Sequence, residues 1–258
     1  MKMIKFHFIY DKTFKAQTLK KIIKKKYKNY SLNKSKCIVV AGGDGFMLNA
    51  LKKYYKYNKP FYGINCGTFG FLMNRYNFNN LEKKITKARK TTINPIAVKT
   101  LNINNNKKNL IAINEVSLFR QSRQTASLRI MIGKKVIIKK LIGDGILVST
   151  PAGSTAYNLS VHGPILSLNS GKLAITPISP FRPRRWKGRT ISNKLSVSAI
   201  NLNYNKRPVA AVSDNVEVRN IKSIAVKINK NIRINLLHDN ERSLVKRIKI
   251  EQLRKNTK

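Results

Sequence analysis

Asp44 stands among glycines in the turn Gly42-Gly43-Asp44-Gly45, after the apolar run Ile38 to Ala41 and before residues from Phe46 onward that suit a helix. That order predicts a strand, a tight loop and a helix N-terminus, where unpaired backbone N–H groups and the helix dipole receive phosphate. Gly42, Gly43 and Gly45 permit close approach of the backbone to such an anion. A carboxylate in the same loop would repel it, which suits Asp44 to a different role, either orienting or deprotonating a hydroxyl or meeting a metal. An ordinary strand-to-helix turn with Asp44 as the helix cap is the competing expectation.

Two further stretches carry chemistry-bearing residues. Asn114 and Glu115 interrupt the apolar segment IAINEVSLF, where a buried charge is costly unless it meets a ligand or a partner. The segment Gly143 to Ser160, GDGILVSTPAGSTAYNLS, opens on a second acidic glycine turn containing Asp144. Pro151, Gly153 and small hydroxyl residues then expose backbone before Ala156 begins a helical turn, a composition suited to ribose hydroxyls and adenine edges.

The elements that must position these residues fall into two styles. Strands are expected at Ile4 to Tyr10, Cys37 to Ala41 and Phe61 to Ile64, alternating with helices. The first helix, capped by Asp11 or Thr13, carries Leu19, Ile22, Ile23, Tyr27 and Tyr30; the next carries Met47, Leu48 and Leu51; a third follows Asn79. Alternation through Arg89 predicts a parallel sheet covered by helices, with the glycine turns opening at its C-terminal strand ends. From Ile93 the pattern becomes a series of β segments, among them Leu110 to Phe119, Lys172 to Thr176, Lys194 to Leu202 and Ile232 to Leu237. The expected architecture is therefore an α/β N-terminal domain with a parallel sheet (residues 1–92), a mostly β C-terminal domain (93–242) and a closing helix (243–258) packing back on the body, capped by Ser243.

The 258 residues include 53 Lys+Arg against 10 Asp+Glu, a formal charge of +43, with 42% hydrophobic content that suffices for a core. Such a charge attracts polyanions. The lysines are interleaved with Ile, Val and Leu along the whole length, as in Lys20 to Lys28 and Lys134 to Lys140, which marks solvated faces and a compositional drift. No nucleic-acid-binding module accompanies them, so no specific nucleic acid is expected. Cys37 and Cys66 make no disulfide framework or zinc spacing, which suits a reducing cytoplasm. The opening MKMIKFHFIY carries Lys5 and His7 and does not read as a signal peptide, and no apolar run reaches spanning length, so no membrane role is expected.

Taken in order, GGDG at Gly42 to Gly45, GINCGTFGFL at Gly63 to Leu72, NE at Asn114 and Glu115, and GDGILVSTPAGSTAYNLS resemble the NAD kinase family, particularly its bacterial members. HGPIL from His162 and TPISPFRPRRW from Thr176 extend the likeness over nearly the whole chain. The resemblance implies an enzyme that phosphorylates the 2′-hydroxyl of the adenosine ribose of NAD with ATP or another phosphoryl donor, giving NADP. It makes Asp44 the proton acceptor, with Gly42, Gly43 and Gly45 beside the nucleotide. Asn114 and Glu115 match ribose-contacting positions. Asp144, Ala152, Thr155, Ala156, Tyr157, Asn158, Leu159 and Ser160 match the wall that binds NAD. It also implies magnesium with the phosphoryl donor, through ligands the sequence does not identify, and a homo-oligomer built largely through the β domain. Asp214 and Asn215 fall near another family turn and are not carried into the site. Phe46 stands where many members have a small hydroxyl residue. Lipid kinases of the diacylglycerol or sphingosine class share a GGDG turn but favour a different second loop, and a basic nucleic-acid-binding protein is the other alternative.

Overall fold

The computed structural model describes residues 4–68, 70–240 and 244–253, so the expected cap Ser243 lies outside the described residues. The chain divides into two compact units, one formed by residues up to Ile93 together with Ile232–Ile250, the other by Asn94–Asn231. No helix among the described residues is long and apolar enough to cross a membrane.

The first unit is a five-stranded sheet. β1 (Phe6–Tyr10), β2 (Cys37–Gly42) and β3 (Phe61–Asn65) run parallel in that order. Every residue of β2 is buried, which explains its unbroken apolar run: a strand covered on both faces has no polar side to alternate with. Helix α1 (Phe14–Lys26) buries Ala16, Leu19 and Ile23 and ends in Lys24, Lys25 and Lys26, whose charges suit the negative end of the helix dipole. Thr13 is its N-cap, without a side-chain cap bond. Helix α2 (Asp44–Tyr54) buries Met47, Ala50 and Leu51, and the short α3 (Leu81–Lys87) buries Leu81 and Ile85.

Two features differ from the expected layout. Residues Arg89–Ile93 form β4 instead of the end of a helix, and the strand Ile234–His238 returns to the first sheet, parallel to β3 and antiparallel to β4. The chain thus leaves the second unit at Ile232, whereas the sequence pattern kept it there through residue 242. An apolar strand carries no mark of which sheet it joins. The helix Leu244–Leu253 follows, with Ile248 buried.

The second unit has two six-stranded sheets whose neighbouring strands pair antiparallel. One runs Arg189–Ser192, Lys172–Ile178, Gly145–Ser149, Glu115–Arg120, Val209–Ser213, Val216–Val218; the other includes Ile96–Asn102, Ile221–Ile228, Val197–Asn201 and Ala126–Ile132. Inward residues of both sheets, among them Val98, Leu128 and Val226 with Val116, Leu118 and Val148, share one core. The expected single segment Leu110 to Phe119 is two strands, Lys107–Ala112 and Glu115–Arg120, broken at Ile113 and Asn114. The two strands belong to different sheets, so the break is where the chain crosses the sandwich, and the NE pair sits there.

Candidate active site

In the first unit, β2 ends at Gly42 and α2 begins at Asp44, earlier than the expected start at Phe46. Asp44 does not cap the helix: the N-cap is Gly43, and no side-chain cap bond forms. Its carboxylate turns instead to the loop after β3, where the Phe71 N–H donates to Oδ2 at 2.6 Å and the Leu72 N–H to Oδ1 at 2.9 Å. That loop is held from behind. The Arg247 guanidinium, on the C-terminal helix, donates to the carbonyls of Gly70 (3.1 Å), Phe71 and Met73 (2.7 Å). Burial raises the Asp44 pKa, opposed by the Phe71 and Leu72 N–H groups and by the charge of Arg247.

The glycines of the turn divide by what surrounds them. A methyl at Gly42 would meet Phe46 Cδ1 at 2.7 Å, so internal packing accounts for that glycine. At Gly43 and Gly45 it would meet nothing within 4 Å, and neither has a positive φ. Neither packing nor backbone conformation requires glycine there, and the space beside both is open. The first N–H groups of α2 open on the same turn and lack partners within the helix.

In the second unit, Asp214 organises the NE pair. Its carboxylate accepts from the N–H groups of Ile113 (2.9 Å), Asn114 (2.9 Å) and Glu115 (3.4 Å), and its own N–H donates to the Glu115 carbonyl at 3.1 Å. Asp214 adopts φ +51°, a left-handed turn conformation that Asp tolerates better than most residues. So fixed, Asn114 Oδ1 and Glu115 Oε2 are buried and find no partner among the described residues. Such orphaned acceptors are uncommon and mark places where a ligand's donors are expected. Burial, and then the neighbouring Asp214 charge, push the Glu115 carboxyl up to about 8. At neutral pH it can therefore both donate and accept a hydrogen bond.

The GSTAY segment locks onto this turn. The Thr150 N–H donates to the Asn114 carbonyl at 2.9 Å, Thr150 Oγ1 donates to the Ile113 carbonyl at 2.8 Å, and the Gly153 N–H donates to Thr150 Oγ1 at 3.0 Å. A methyl at Gly153 would overlap the backbone of Asn114. Ala152–Thr155 form a 3-10 turn and Tyr157–Ser160 one helical turn. Tyr157 is exposed and, with Glu115, Ser117, Phe119, Val212 and Asp214, lines a recess of about 240 Å³. Asn158 is fully buried; its amide donates to the carbonyls of Ser154 and Pro164, and its oxygen accepts from Thr176, so its side chain braces the turn. Asp144 pairs with Arg120, whose Nε lies 2.5 Å from Oδ1. Burial raises the Tyr157 phenol pKa, and the charges of Asp144 and Glu115 add to the rise.

The structure thus gathers Asn114, Glu115, Tyr157 and Asp144 in one unit and presents Asp44 in the other. Asp214, Arg120 and Arg247 are absent from the site that the sequence implies. The only sequence signal for Asp214 was its turn-forming neighbourhood, VSDNVEV; Arg247 had none.

A parallel sheet ending in a phosphate-type turn, followed by a sandwich with a hydroxyl-seeking recess, defines the class as a nucleotide kinase of two units. The ATP-NAD kinase N-terminal domain matches residues 4–93 and the ATP-NAD kinase C-terminal domain matches residues 113–231. The NAD kinase of Zymomonas mobilis is 41% identical over 98% of this chain and 99% of its own, and that of Brucella suis 43% identical over 96% of each. The chain belongs to the NAD kinase family. Among solved structures, an Archaeoglobus fulgidus NAD kinase in complex with ATP superposes with a TM-score of 0.74 at 20% identity, covering 93% of this chain and 95% of its own. Yeast NADH kinase complexed with NADH gives 0.80 at 18%, covering 99% and 89%; both share the fold. Membership over both halves does not favour the lipid-kinase or nucleic-acid alternatives.

Proposed function

We propose that this chain phosphorylates the 2′-hydroxyl of the adenosine ribose of NAD with ATP, giving NADP, and that Asp44 accepts the hydroxyl proton. The observation that carries this role is the fixing of both Asp44 oxygens by single N–H donors, which leaves each oxygen a second lone pair and sets its direction. Burial makes the carboxylate more basic, as a proton acceptor requires. Phosphoryl transfer depends on alignment and charge neutralisation more than on a strong nucleophile, so a held carboxylate beside a phosphate turn is sufficient protein chemistry.

The open space at Gly43 and Gly45 suits phosphate oxygens approaching the N–H groups of α2. Asn114 and Glu115 supply the acceptors that ribose hydroxyls would satisfy and Tyr157 offers a ring face; by the family likeness Asp144, Ala152 and the segment Thr155 to Ser160 complete the NAD-binding wall. Magnesium, when bound, neutralises charge on the donor phosphates. Among the described residues no three His, Cys, Asp or Glu gather into a cage, which fits an ion held by phosphates and water with one or two carboxylates. Asp44 is the carboxylate on the turn. We place the enzyme in the cytoplasm as a homo-oligomer without a specific nucleic-acid partner.

Incubation with ATP, magnesium and NAD tests the activity through NADP formation. Asp44→Asn removes the base and keeps only one of the two N–H partners, because its amide has a single acceptor oxygen; turnover should fall roughly a hundredfold or more, with NAD binding weakened less. Near-normal NADP formation by the folded variant would remove Asp44 from the mechanism.

A further inference from the structure

Away from the Asp44 carboxylate, α1 and α2 flank the outer edge of β1 and leave a groove of about 900 Å³. Lys20, Lys24, Lys28 and Lys53 line it, and among the described residues no carboxylate does. Tyr10, Tyr27, Phe46 and Tyr54 supply its aromatic walls. Two of the ammonium groups already lie over those rings: Lys20 Nζ is 5.9 Å from the centre of Tyr10, and Lys53 Nζ is 5.3 Å from that of Tyr54. Charge and ring faces are therefore presented together.

The floor of the groove is the edge of β1, and its hydrogen bonds are partly spent. The Asp11 N–H donates inward to Ala41, while on the outer side the Phe8 N–H donates to Asn29 Oδ1 and the Phe6 carbonyl accepts from Tyr30, each at 2.9 Å. Backbone groups of residues two apart point the same way along a strand, so the Phe8 carbonyl and the Tyr10 N–H also face outward. One acceptor and one donor, two residues apart, form too short a row to pair with an added strand. They match the single N6 donor and N1 acceptor of an adenine, a base read by its Watson–Crick edge while stacked on aromatic side chains. The volume lies within the range of small-molecule sites.

We infer that this groove is a second nucleotide site, which takes an adenine nucleotide with its base on the β1 edge and its phosphates among Lys20, Lys24, Lys28 and Lys53. It is distinct from the residues assigned to phosphoryl transfer, although Phe46 joins its wall to the glycine turn through Gly42.

Photolabelling of the whole protein with 8-azido-ADP, followed by proteolysis and mass spectrometry, locates the site directly. Label is expected on peptides carrying Tyr27 and Tyr54, suppressed by ADP and suppressed less by tripolyphosphate at the same concentration. Exchanging both exposed lysines in Lys24→Glu/Lys53→Glu should cut that label about tenfold while NAD phosphorylation continues. Absence of label from these peptides, its equal removal by tripolyphosphate, its survival in the double variant, or its displacement by oligo(dA) at far lower concentration than ADP would each overturn the assignment. Failure of NADP formation would instead unseat the proposed reaction and leave this map standing.

Discussion

Glu115 makes the residue-scale chemistry measurable without substrate. Its carboxyl rises from 4.5 to about 8 in the folded protein, so the native state keeps a proton that the unfolded chain releases across that interval. Stability from this group is present below 4.5 and is lost as pH rises through about 8. Glu115→Gln cannot release that proton, and its melting temperature should decline less between those limits than that of the parent, as scanning calorimetry across pH would register. Parallel curves would refute the shift. Asp44 and Glu115 were legible in sequence because each sits in a short pattern that breaks a local rule: a carboxylate in a phosphate-type turn, a charge inside an apolar run. Asp214 was not, because what it serves is the backbone of residues 100 positions away, and no local pattern records a partnership of that kind.

At the scale of elements, the C-terminal helix reaches the loop that faces Asp44 through the Arg247 side chain. Arg247 holds three carbonyls of the loop whose N–H groups hold Asp44. Arg247→Met should lower kcat roughly tenfold with little change in the KM for NAD, because a misaligned base affects the transition state more than binding. Arg247→Lys should rescue poorly, since an ammonium lacks the planar fork that reaches several carbonyls at once. Steady-state kinetics of the two variants decide this, and a rise in KM alone would make the clamp merely structural. The central strands and amphipathic helices were readable because burial imposes a period on them. The strands Arg89–Ile93 and Arg189–Ser192 were not: each is a sheet edge with a single buried residue, Ile93 or Ile191, which leaves no pattern to detect. Charged, short edges also resist pairing with other chains.

For the whole molecule, +43 sets the terms of association. Like charges repel until salt shortens their reach to about 10 Å at 0.1 M. Sedimentation at rising ionic strength should therefore show the proposed homo-oligomer strengthening, and a monomer at every protein and salt concentration would sink it. Unrelated duplexes and single strands should bind alike at low salt and release together as salt rises, because only counterion release is at work. One strongly preferred nucleic acid at physiological salt would give the charge a function. Four of the ten acids, Asp44, Glu115, Asp144 and Asp214, stand in or beside the turns to which the proposed chemistry is assigned.

The fit of Gly153 against the backbone of Asn114 reaches into inheritance. These two turns lie far apart in the chain yet share one surface, where either can change shape only if the other does. A chimera with another family member, joined anywhere between Glu115 and Thr150, takes one turn from each parent and inherits a mismatch wherever the parents differ there. Crossovers before Ile113 or after Asp214 transfer both turns together with the carboxylate that holds the first, and libraries built by recombination should recover their folded members from those junctions.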